Sequence, residues 1–413
     1  MAGKGSFSGS TNISVRNKLT LSYAWKFLLD CQGLRLGQCY GESMKKTAGM
    51  ILALMLYVML PGSASTALAA DYAIGADVSF LMMAEERGTV FKEDGQAKPG
   101  LQILKDHGYN WIRLRLFHTP SAHRDKMPND LAYTTRLAKQ AKNMGYKFLL
   151  CYHYSDSWAD PAKQWAPKAW EGKGHAETVQ LLQQYTRDTM SALREAGAMP
   201  DMVQIGNEIT PGMVWPDGRL GNTDAPDNNW PNFTDLLKAG IRGVDASLNG
   251  APRPKIMIHI DRGGDIRTTR SFFDKIREYG VNYDVIGQSY YPWWHGSLLD
   301  LKENLDFMAR EYGKEIILVE VAYHWRENGE YGKTPTPFPQ TPEGQKQFLD
   351  DVHRLVLATP NGLGKGVFWW EPAVPLRGGI SSRGIFGDDG NVLPVIKVFD
   401  RYTRGRAENQ GRP

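Results

Sequence analysis

A single (β/α)8 barrel is the fold class that this sequence of 413 residues predicts. Three observations lead to it. From Asp71 onward, short apolar runs alternate with segments of helical periodicity at intervals of about 30 to 50 residues, the rhythm of βα units. Eight such runs occur, and eight parallel strands close a barrel of this kind. Polar and aromatic residues also gather just after the runs, where the loops of a barrel build its active site.

The eight candidate strands are short and apolar, and several of them run directly into a polar or aromatic residue. Apolar runs of about four to eight residues are typical of buried strands. In chain order the predicted strands are Ile74–Phe80, Trp111–Phe117, Lys147–Tyr152, Met202–Gly206, Lys255–Ile260, Val285–Ser289, Ile316–Val319 and Gly366–Trp370.

The connecting segments carry apolar residues at helical spacing. The clearest predicted helices are Leu131–Ala141, which ends near Gly145, Thr178–Ala196, which Gly197 follows, and Gln345–Leu357. Glycine shortly after the last apolar residue is a typical end of a helix.

No internal repeat or low-complexity stretch divides the chain. The Pro-rich segment Thr334–Pro342 predicts a loop after the seventh strand and not a linker between domains. We therefore expect one catalytic domain over residues 70–403, followed by a polar tail at residues 404–413.

The N-terminal segment, residues 1–69, has the parts of a secretory signal peptide. Met44 is followed by two lysines, the apolar run Met50–Leu60 comes next, and Ala67–Ala69 forms a small-residue cleavage site. The run is shorter than the roughly 20 apolar residues of a membrane span. We expect translation to begin at Met44, cleavage after Ala69, and a secreted or periplasmic protein without stable membrane insertion once the signal is removed; an uncleaved anchor is the alternative.

The charge of the remaining chain argues against a nucleic-acid-binding protein, and its cysteines argue against a disulfide-stabilised one. The whole chain has a net charge of +4, and residues 1–69 alone contribute +5, so the rest carries −1 and has no basic footprint for nucleic acid. Cys31 and Cys39 lie in the leader, which leaves Cys151 alone and excludes an internal disulfide. Because Cys151 lies within an apolar strand, we interpret it as a small buried residue and not as a nucleophile.

The residues that follow the strands indicate the ligand. Aromatic rings stack on the apolar face of a sugar, and Asp, Asn, His and Arg hydrogen-bond its hydroxyls, so the sequence predicts a carbohydrate site. The structural alternative is that the aromatic residues pack in the core or in a lid and bind no ligand. The residues in question are Arg113, Arg115 and His118; 153–160; Asn207, Glu208 and Trp215; His259 and Asp261; 290–295; Glu320, Tyr323, His324 and Trp325; and Trp370 and Glu371.

Two carboxylates, Glu208 after the fourth strand and Glu320 after the seventh, are the candidate catalytic pair. A retaining glycosidase needs two carboxyl groups about 5 to 5.5 Å apart, one as the nucleophile and the other as the acid. Strands four and seven face each other across a barrel mouth, and mutual repulsion would keep one group protonated. A salt bridge with Arg113 or Arg115 is the structural alternative for either carboxylate.

Other chemistries fit the sequence less well. His153, His259 and Asp261 could ligate zinc, but they lack the spacing of a His-x-His or His-Glu-x-x-His motif. The segment 384–391 has acidic residues without the twelve-residue calcium loop and its terminal Glu. Phosphate-binding, dinucleotide and Gly-x-Ser-x-Gly motifs do not occur, so we expect neither a metal nor a cofactor.

Nine motifs of the chain occur in the order of a known family. They are Gly75–Ser79, Trp111–Arg115, His153–Pro161, Val203–Glu208, Gly212–Pro216, Met257–Asp261, Gly287–Pro292, Val319–Glu320 and Trp369–Pro372. On these motifs the sequence resembles glycoside hydrolase family 53, the endo-β-1,4-galactanases, over nearly all of residues 74–403. The loop between Pro372 and Phe386 is short compared with some bacterial members, which argues against the calcium site that parts of the family have.

The resemblance implies a role for each candidate residue. Glu208 would be the acid/base and Glu320 the nucleophile. Asn207 would hold the 2-hydroxyl of the sugar that is cleaved, and Arg113 and Tyr290 would orient Glu320. The residues that would shape the sugar subsites are His153, Asp156, Trp158, Asp261 and Trp370, with Trp215 and His295 further along the groove.

The function that follows is retaining, endo-acting hydrolysis of β-1,4-galactan, such as pectin side chains, by a monomer without a cofactor. A related retaining barrel that acts on mannan or xylan is the alternative among enzymes. A non-catalytic glycan-binding barrel is the alternative from another class, although that class would lack one of the two carboxylates.

Overall fold

A computed structural model describes residues 72–123, 127–221, 229–374, 380–400 and 402. The predicted signal peptide and the predicted C-terminal tail lie outside the described residues, so the limits of the domain remain predictions. Within the described segments, no helix combines the length and the apolar character that crossing a membrane requires.

Eight parallel strands close into a barrel, which confirms the predicted fold class. Each strand pairs with its neighbours in chain order, and the first closes the ring by pairing with both the second and the eighth. The strands are β1 Ala73–Asp77, β2 Trp111–Leu116, β3 Lys147–Tyr152, β4 Met202–Ile205, β5 Lys255–Ile260, β6 Val285–Tyr290, β7 Glu315–Val321 and β8 Gly364–Trp369.

Helices surround the barrel on its outer side. Two of them lie between β1 and β2, and a 3₁₀ helix at Pro394–Val398 takes the place of an α-helix after β8. The α-helices of the described segments are α1 Leu81–Glu86, α2 Gly100–Asp106, α3 Leu131–Asn143, α4 His175–Glu195, α5 Trp230–Ala246, α6 Ile266–Glu278, α7 Leu298–Tyr312 and α8 Pro342–Leu357. The three predicted helices correspond to α3, α4 and α8.

Local sequence signals explain where these helices begin. The side chain of Asp130 accepts a hydrogen bond from the backbone N–H of Tyr133 and so caps α3. Ser297 and Asp300 form a reciprocal capping box at the start of α7, and Gly313 ends that helix in the left-handed conformation.

The interior of the barrel is closed below the site by an apolar layer. Every strand contributes to it, and the residues are Ala73, Trp111, Leu149, Met202, Met257, Val285, Ile317, Val319 and Phe368. Side chains alternate along a strand, so the residue two positions after each of these also points inward, one layer closer to the mouth. On β2, β3, β4 and β5 that step leads to polar or sulfur-containing residues: Arg113, Cys151, Gln204 and His259.

A β-bulge in β7 brings Glu320 into the same layer. Gln288 of β6 pairs with Leu318, whereas the next residue, Ser289, pairs with Glu320, so Val319 is the extra residue. A bulge re-aims the side chains that follow it. Val319 can therefore belong to the apolar layer while Glu320, its direct neighbour, faces the mouth.

Candidate active site

A cleft of about 720 Å³ opens at the C-terminal ends of the strands. Loops at this end of the barrel form the active site in enzymes of this fold. Of the twelve predicted site residues, nine line the cleft: Arg113, His153, Trp158, Asn207, Glu208, Asp261, His295, Glu320 and Trp370.

The two predicted catalytic carboxylates face each other in this cleft. One side-chain oxygen of Glu208 and one of Glu320 lie within 4.8 Å of each other. Both residues are buried, with 8% and 5% of their surface exposed. This separation is shorter than the about 6.5 to 9.5 Å between the carboxyl groups of an inverting pair.

Glu320 is held through both of its oxygens. Arg113 Nη1 lies 2.8 Å from Oε1, and the hydroxyl of Tyr291 donates to Oε2 at 2.8 Å. Burial raises the pKa of Glu320, and the positive charge of Arg113 and the hydrogen bond from Tyr291 oppose that rise. Both contacts favour the ionised form, which a nucleophile needs.

Arg113 is the anchor of the whole site. Its Nη1 also contacts Asp77 Oδ2 at 2.8 Å, its Nη2 donates to Asn207 Oδ1 at 2.7 Å, and its Nε donates to Gln204 Oε1 at 3.2 Å. Asp77 and Arg113 are register partners on β1 and β2, so their contact follows directly from the strand pairing. Because the N–H groups of this buried guanidinium all have partners, its orientation is determined. Arg113 therefore also determines the orientation of Glu320.

The amide of Asn207 has a defined orientation. Oδ1 accepts a hydrogen bond from Arg113 Nη2 at 2.7 Å, and Gln204 Nε2 lies 3.1 Å from it. Nδ2 donates to the carbonyl oxygen of Ala159 at 2.9 Å. Because an amide nitrogen has two hydrogens, the second N–H is available to a sugar hydroxyl.

Glu208 stands just beyond the end of β4, in an unusual backbone conformation. Gly206 and Glu208 both have positive φ, of 81° and 49°. The first suits glycine, whereas the second is uncommon for a residue with a side chain and is typical of functional sites. These two turns end β4 and direct the carboxylate of Glu208 into the cleft.

The electrostatic environment of Glu208 differs from that of Glu320. Burial raises the pKa of Glu208 well above its ordinary value, and the negative charges of Glu320 and Asp261 raise it further. The hydroxyl of Ser289 donates to Oε1 at 2.6 Å and opposes the rise. Among the described residues, no Lys or Arg lies at ion-pair distance from Glu208, so its surroundings favour the protonated form more than those of Glu320 do.

Two histidines in the cleft are neutral hydrogen-bond donors. His153 Nδ1 accepts from the backbone N–H of Ala159 at 2.9 Å, and His295 Nδ1 accepts from that of Tyr291 at 3.1 Å. Burial lowers the pKa of His153 well below its ordinary range and that of His295 to about 4. Each neutral ring therefore carries its proton on Nε2, which can donate to a sugar hydroxyl.

Acidic and aromatic side chains complete the lining. Asp261 accepts a hydrogen bond from Thr210 and pairs with Arg262, while burial raises its pKa to about 6. Trp158 and Trp370 pack edge to face with ring centroids 6.2 Å apart. Such an arrangement offers apolar ring faces beside hydrogen-bonding groups, the combination that binds sugars.

The prediction that Tyr290 orients Glu320 is wrong, because the hydroxyl that contacts Glu320 belongs to Tyr291. Tyr290 donates to the carbonyl oxygen of Gly296 at 3.0 Å and stacks on Phe348 of α8, on the outer side of the barrel. Since Ser289 points into the mouth, the alternation along β6 turns Tyr290 outward and brings Tyr291 back in.

Asp156 and Trp215 do not line the cleft either. Both oxygens of Asp156 are occupied by backbone N–H groups, of Thr119 and Lys168, each at 2.9 Å. Asp156 thus joins two loops to each other. The indole N–H of Trp215 donates to the carbonyl oxygen of Pro211, and the ring of Trp215 supports the exposed Trp165 at 5.5 Å.

Several cleft residues escaped the sequence analysis. Asp77 ends an apolar strand, and a carboxylate at that point was a usable signal. Arg383 comes from the loop after β8, pairs with Glu330, and lies 5.0 to 5.6 Å from the ring centroids of four aromatic residues. Nothing in the sequence around Arg383 indicates this position, because the loop folds back over the barrel from far along the chain.

The chemistry of the donors argues against the predicted metal alternatives. Within the described segments, Glu208, His259 and Glu320 form the one cluster close enough to hold an ion. His259 Nδ1 already receives a hydrogen bond from Gln204 and His259 Nε2 donates to Ser289, so neither nitrogen has a free lone pair. His153 likewise uses Nδ1 for a backbone N–H. A zinc ion would have to break these bonds.

Cys151 is fully buried under the cleft and is a free thiol. Burial raises the pKa of its thiol to about 12, so a nucleophilic thiolate is disfavoured. Its neighbours are polar, however: Arg113 Nη2 and Gln204 Nε2 lie 3.2 and 3.0 Å from Sγ. The residue is therefore a sulfur acceptor beneath the site as well as a small packing residue.

Comparison with known proteins places this geometry in a family. Residues 73–399 match the model of glycosyl hydrolase family 53. An arabinogalactan endo-β-1,4-galactanase of Thermothelomyces thermophilus is 35% identical, covering 79% of this chain and 98% of the relative. An uncharacterized protein from the bgaB 5' region of Niallia circulans is 43% identical, covering 73% and 84% of the two chains.

A solved structure agrees with these sequence matches. The family 53 catalytic domain of Ignisphaera aggregans superposes with a TM-score of 0.74 at 32% identity, covering 83% of this chain and 98% of that one. The predicted resemblance is confirmed, and the chain belongs to glycosyl hydrolase family 53 and is a glycoside hydrolase.

Proposed function

We propose that the protein is an endo-β-1,4-galactanase that hydrolyses galactan with retention of configuration. The observation that carries the proposal is the buried carboxylate pair, in which Arg113 and Tyr291 stabilise the ionised form of Glu320 while Glu208 lacks a cation at ion-pair distance among the described residues. The choice of galactan rests on the named activity of the Thermothelomyces thermophilus relative.

In the first step a Glu320 oxygen attacks the anomeric carbon. The bond from that carbon to the glycosidic oxygen breaks, its electron pair goes to the leaving oxygen, and Glu208 delivers its proton to that oxygen. Glu208 becomes a carboxylate at the moment when Glu320 loses its negative charge to the new ester bond. The mutual repulsion that raises the pKa of Glu208 is thereby relieved as the reaction proceeds.

In the second step a water molecule replaces the departed sugar. Glu208, now ionised, takes a proton from this water while the water oxygen attacks the anomeric carbon. The ester bond to Glu320 breaks, Glu320 regains its charge, and the hydrogen bonds from Arg113 and Tyr291 stabilise it again. Both carboxyl groups have then returned to their starting protonation states.

The cleft offers a polymer both aromatic and hydrogen-bonding contacts beside the catalytic pair. Trp158 and Trp370 lie near the catalytic pair, and Trp294 stands at the rim with 58% of its surface exposed. His153, Asn207 and His295 each have an N–H that can donate to hydroxyls, while Asp261 supplies an acceptor. This distribution supports binding of several sugar units and cleavage within a chain.

The catalytic carboxylates provide the direct test. Glu208→Ala and Glu320→Ala are each expected to abolish release of galacto-oligosaccharides from linear galactan, and near-normal turnover by either variant would refute the assignment. NMR of the first products should show the β anomer, and an initial α anomer would refute retention. A panel with xylan and mannan separates the related substrates, since preference for either would overturn the choice of galactan.

We further propose export through the leader at residues 1–69, with residues 70–403 as the mature catalytic domain. N-terminal sequencing of the protein recovered from the culture medium or periplasm tests this. A mature chain that begins directly after Ala69 is expected, and retention of the protein in the cytoplasm would refute export.

A further inference from the structure

Behind the two catalytic carboxylates, four hydrogen bonds join Arg113 to Glu208. Arg113 Nε donates to Gln204 Oε1 at 3.2 Å, and Gln204 Nε2 donates to His259 Nδ1 at 2.9 Å. His259 Nε2 then lies 2.9 Å from Ser289 Oγ, and Ser289 Oγ donates to Glu208 Oε1 at 2.6 Å. Gln204, His259 and Ser289 are completely buried, on β4, β5 and β6. We call these three residues the relay.

The direction of the relay is determined by groups that can only donate or only accept. A guanidinium only donates, so the amide oxygen of Gln204 must face Arg113. The amide nitrogen then faces the carbonyl oxygen of Gly206, a pure acceptor, at 2.9 Å. His259 Nδ1 receives both Gln204 Nε2 and the backbone N–H of Glu208, the latter at 3.4 Å. Two donors pointing at one nitrogen require that it carries no proton.

The remaining links follow from this. Burial and the charge of Arg113 lower the pKa of His259 well below its ordinary range, so the ring is neutral and its single proton lies on Nε2. Ser289 Oγ accepts that proton in a hydrogen bond, which leaves its own hydrogen for Glu208 Oε1. Oε1 of Glu208 is therefore an acceptor in both protonation states of the carboxyl group.

We propose that Ser289 and His259 are positioning residues that keep the acid proton of Glu208 on Oε2. The proposal rests on the acid/base role of Glu208 in the proposed function. A carboxylic acid can carry its proton on either oxygen, and only one of the two arrangements delivers it to the leaving group. The relay disfavours the arrangement with the proton on Oε1, because Oε1 already accepts a hydrogen bond from Ser289. In the second step, Oε2 is the oxygen that takes the proton from water.

The relay also connects Arg113, which holds Glu320 directly, to Glu208. Arg113 holds Glu320 Oε1 with Nη1 and begins the relay with Nε. The orientation of the nucleophile and the position of the acid proton thus depend on the same guanidinium plane. A rigid anchor of this kind maintains the geometry of both groups together.

The experiment compares leaving groups of different basicity. The first bond-breaking step is read from kcat/KM with the phenyl and the 2,4-dinitrophenyl glycosides of β-1,4-galactobiose. Phenolate needs the acid proton to leave, whereas dinitrophenolate does not. Ser289→Ala is expected to lower kcat/KM for the phenyl glycoside about 10- to 100-fold, which is less than the complete loss of general acid catalysis would cost. For the dinitrophenyl glycoside, kcat/KM is expected to fall by less than about 3-fold. Equal losses on the two substrates would overturn the proposal.

Ser79→Ala is the matched control. It removes an equally buried hydroxyl that donates to Asp77 at 2.5 Å and takes no part in the relay. This variant is expected to change kcat/KM by the same factor for the phenyl and the dinitrophenyl glycoside. A selective loss on the phenyl glycoside in this variant would show that the selectivity of Ser289→Ala has another origin and would overturn the assignment.

A measurement without turnover completes the test. Nitrogen-15 NMR of the wild-type protein should show His259 as the neutral ring with its proton on Nε2, and a protonated Nδ1 would overturn the relay. Whether wild-type enzyme cleaves galactan bears on the proposed function alone. The failure of one proposal can therefore be told from the failure of the other.

Discussion

The hydroxyl of Tyr291 is the most informative single group to remove from this site. It donates to Glu320 Oε2 at 2.8 Å, and the residue is buried beside Trp293, His295 and Trp370. Tyr291→Phe deletes this hydrogen bond and leaves the ring packing in place. The neighbouring Tyr290 offers an adjacent tyrosine whose hydroxyl points to the other side of the barrel.

The size of the effect follows from the kind of hydrogen bond that is lost. A buried hydrogen bond to a charged group contributes about 1.5 to 3 kcal/mol. If that stabilisation belongs to the ionised nucleophile, its loss corresponds to a rise of about 1 to 2 units in the pKa of Glu320, because one unit equals about 1.4 kcal/mol. Orientation of the nucleophile is lost as well, so we expect kcat/KM on galactan to fall about 10- to 150-fold.

The assay is a pH profile of kcat/KM. In the proposed mechanism activity requires ionised Glu320, so it disappears as the pH falls through the pKa of that residue. The hydrogen bond from Tyr291 lowers this pKa, and its removal therefore moves the acidic limb of the profile to higher pH. Tyr290→Phe is expected to leave the limb in place and the rate within about 2-fold of wild type, since the hydroxyl of Tyr290 donates to the carbonyl oxygen of Gly296 and not to Glu320.

The opposite pattern would refute the reasoning. A Tyr291→Phe variant with the wild-type acidic limb would mean that the 2.8 Å contact does not stabilise the nucleophile. A shifted limb in Tyr290→Phe would mean that the hydroxyl of Tyr290, and not that of Tyr291, stabilises Glu320.

Three other changes probe separate parts of the site. Arg113→Lys replaces a planar fork that contacts Asp77, Asn207 and Glu320 by one ammonium group, and kcat should fall about 10²- to 10³-fold, measured by steady-state kinetics. Glu320→Gln removes a negative charge that faces Glu208, so a carbon-13 NMR titration should find a lower pKa for Glu208, and an unchanged value would contradict the coupling. Gly206→Ala puts a Cβ at φ 81° and 2.6 Å from Ile209 Cγ2, so urea unfolding should show a loss of about 1 to 3 kcal/mol.

The barrel could be predicted because its signals are local. The bounds of β3 and β5 match the prediction residue for residue, and the other six strands differ by a few residues at their ends. Buried parallel strands are apolar on both faces, and the helices between them are apolar on one face. The pattern of apolar residues in each element therefore indicates which of its faces are buried. Glu208 and Glu320 were found for the same reason, because a carboxylate directly after an apolar strand is a local signal.

The contacts of the site depended on information that is not local. Tyr290 and Tyr291 are adjacent tyrosines at the end of β6, and only the direction of Ser289 decides which of them reaches Glu320. Asp156 and Trp215 lie in loops whose path is determined by other loops, and both turned away from the cleft.

By itself, then, the sequence determined that this chain forms a barrel and which strand ends are polar, because burial and periodicity act within each segment. Tertiary structure alone decided which polar side chains meet. The bulge at Val319 turns Glu320 inward, the pairing of β1 with β2 brings Asp77 to Arg113, and closure of the ring joins Gln204, His259 and Ser289 into the relay. These contacts connect residues far apart in the chain, and their geometry depends on strand register, which no single segment specifies.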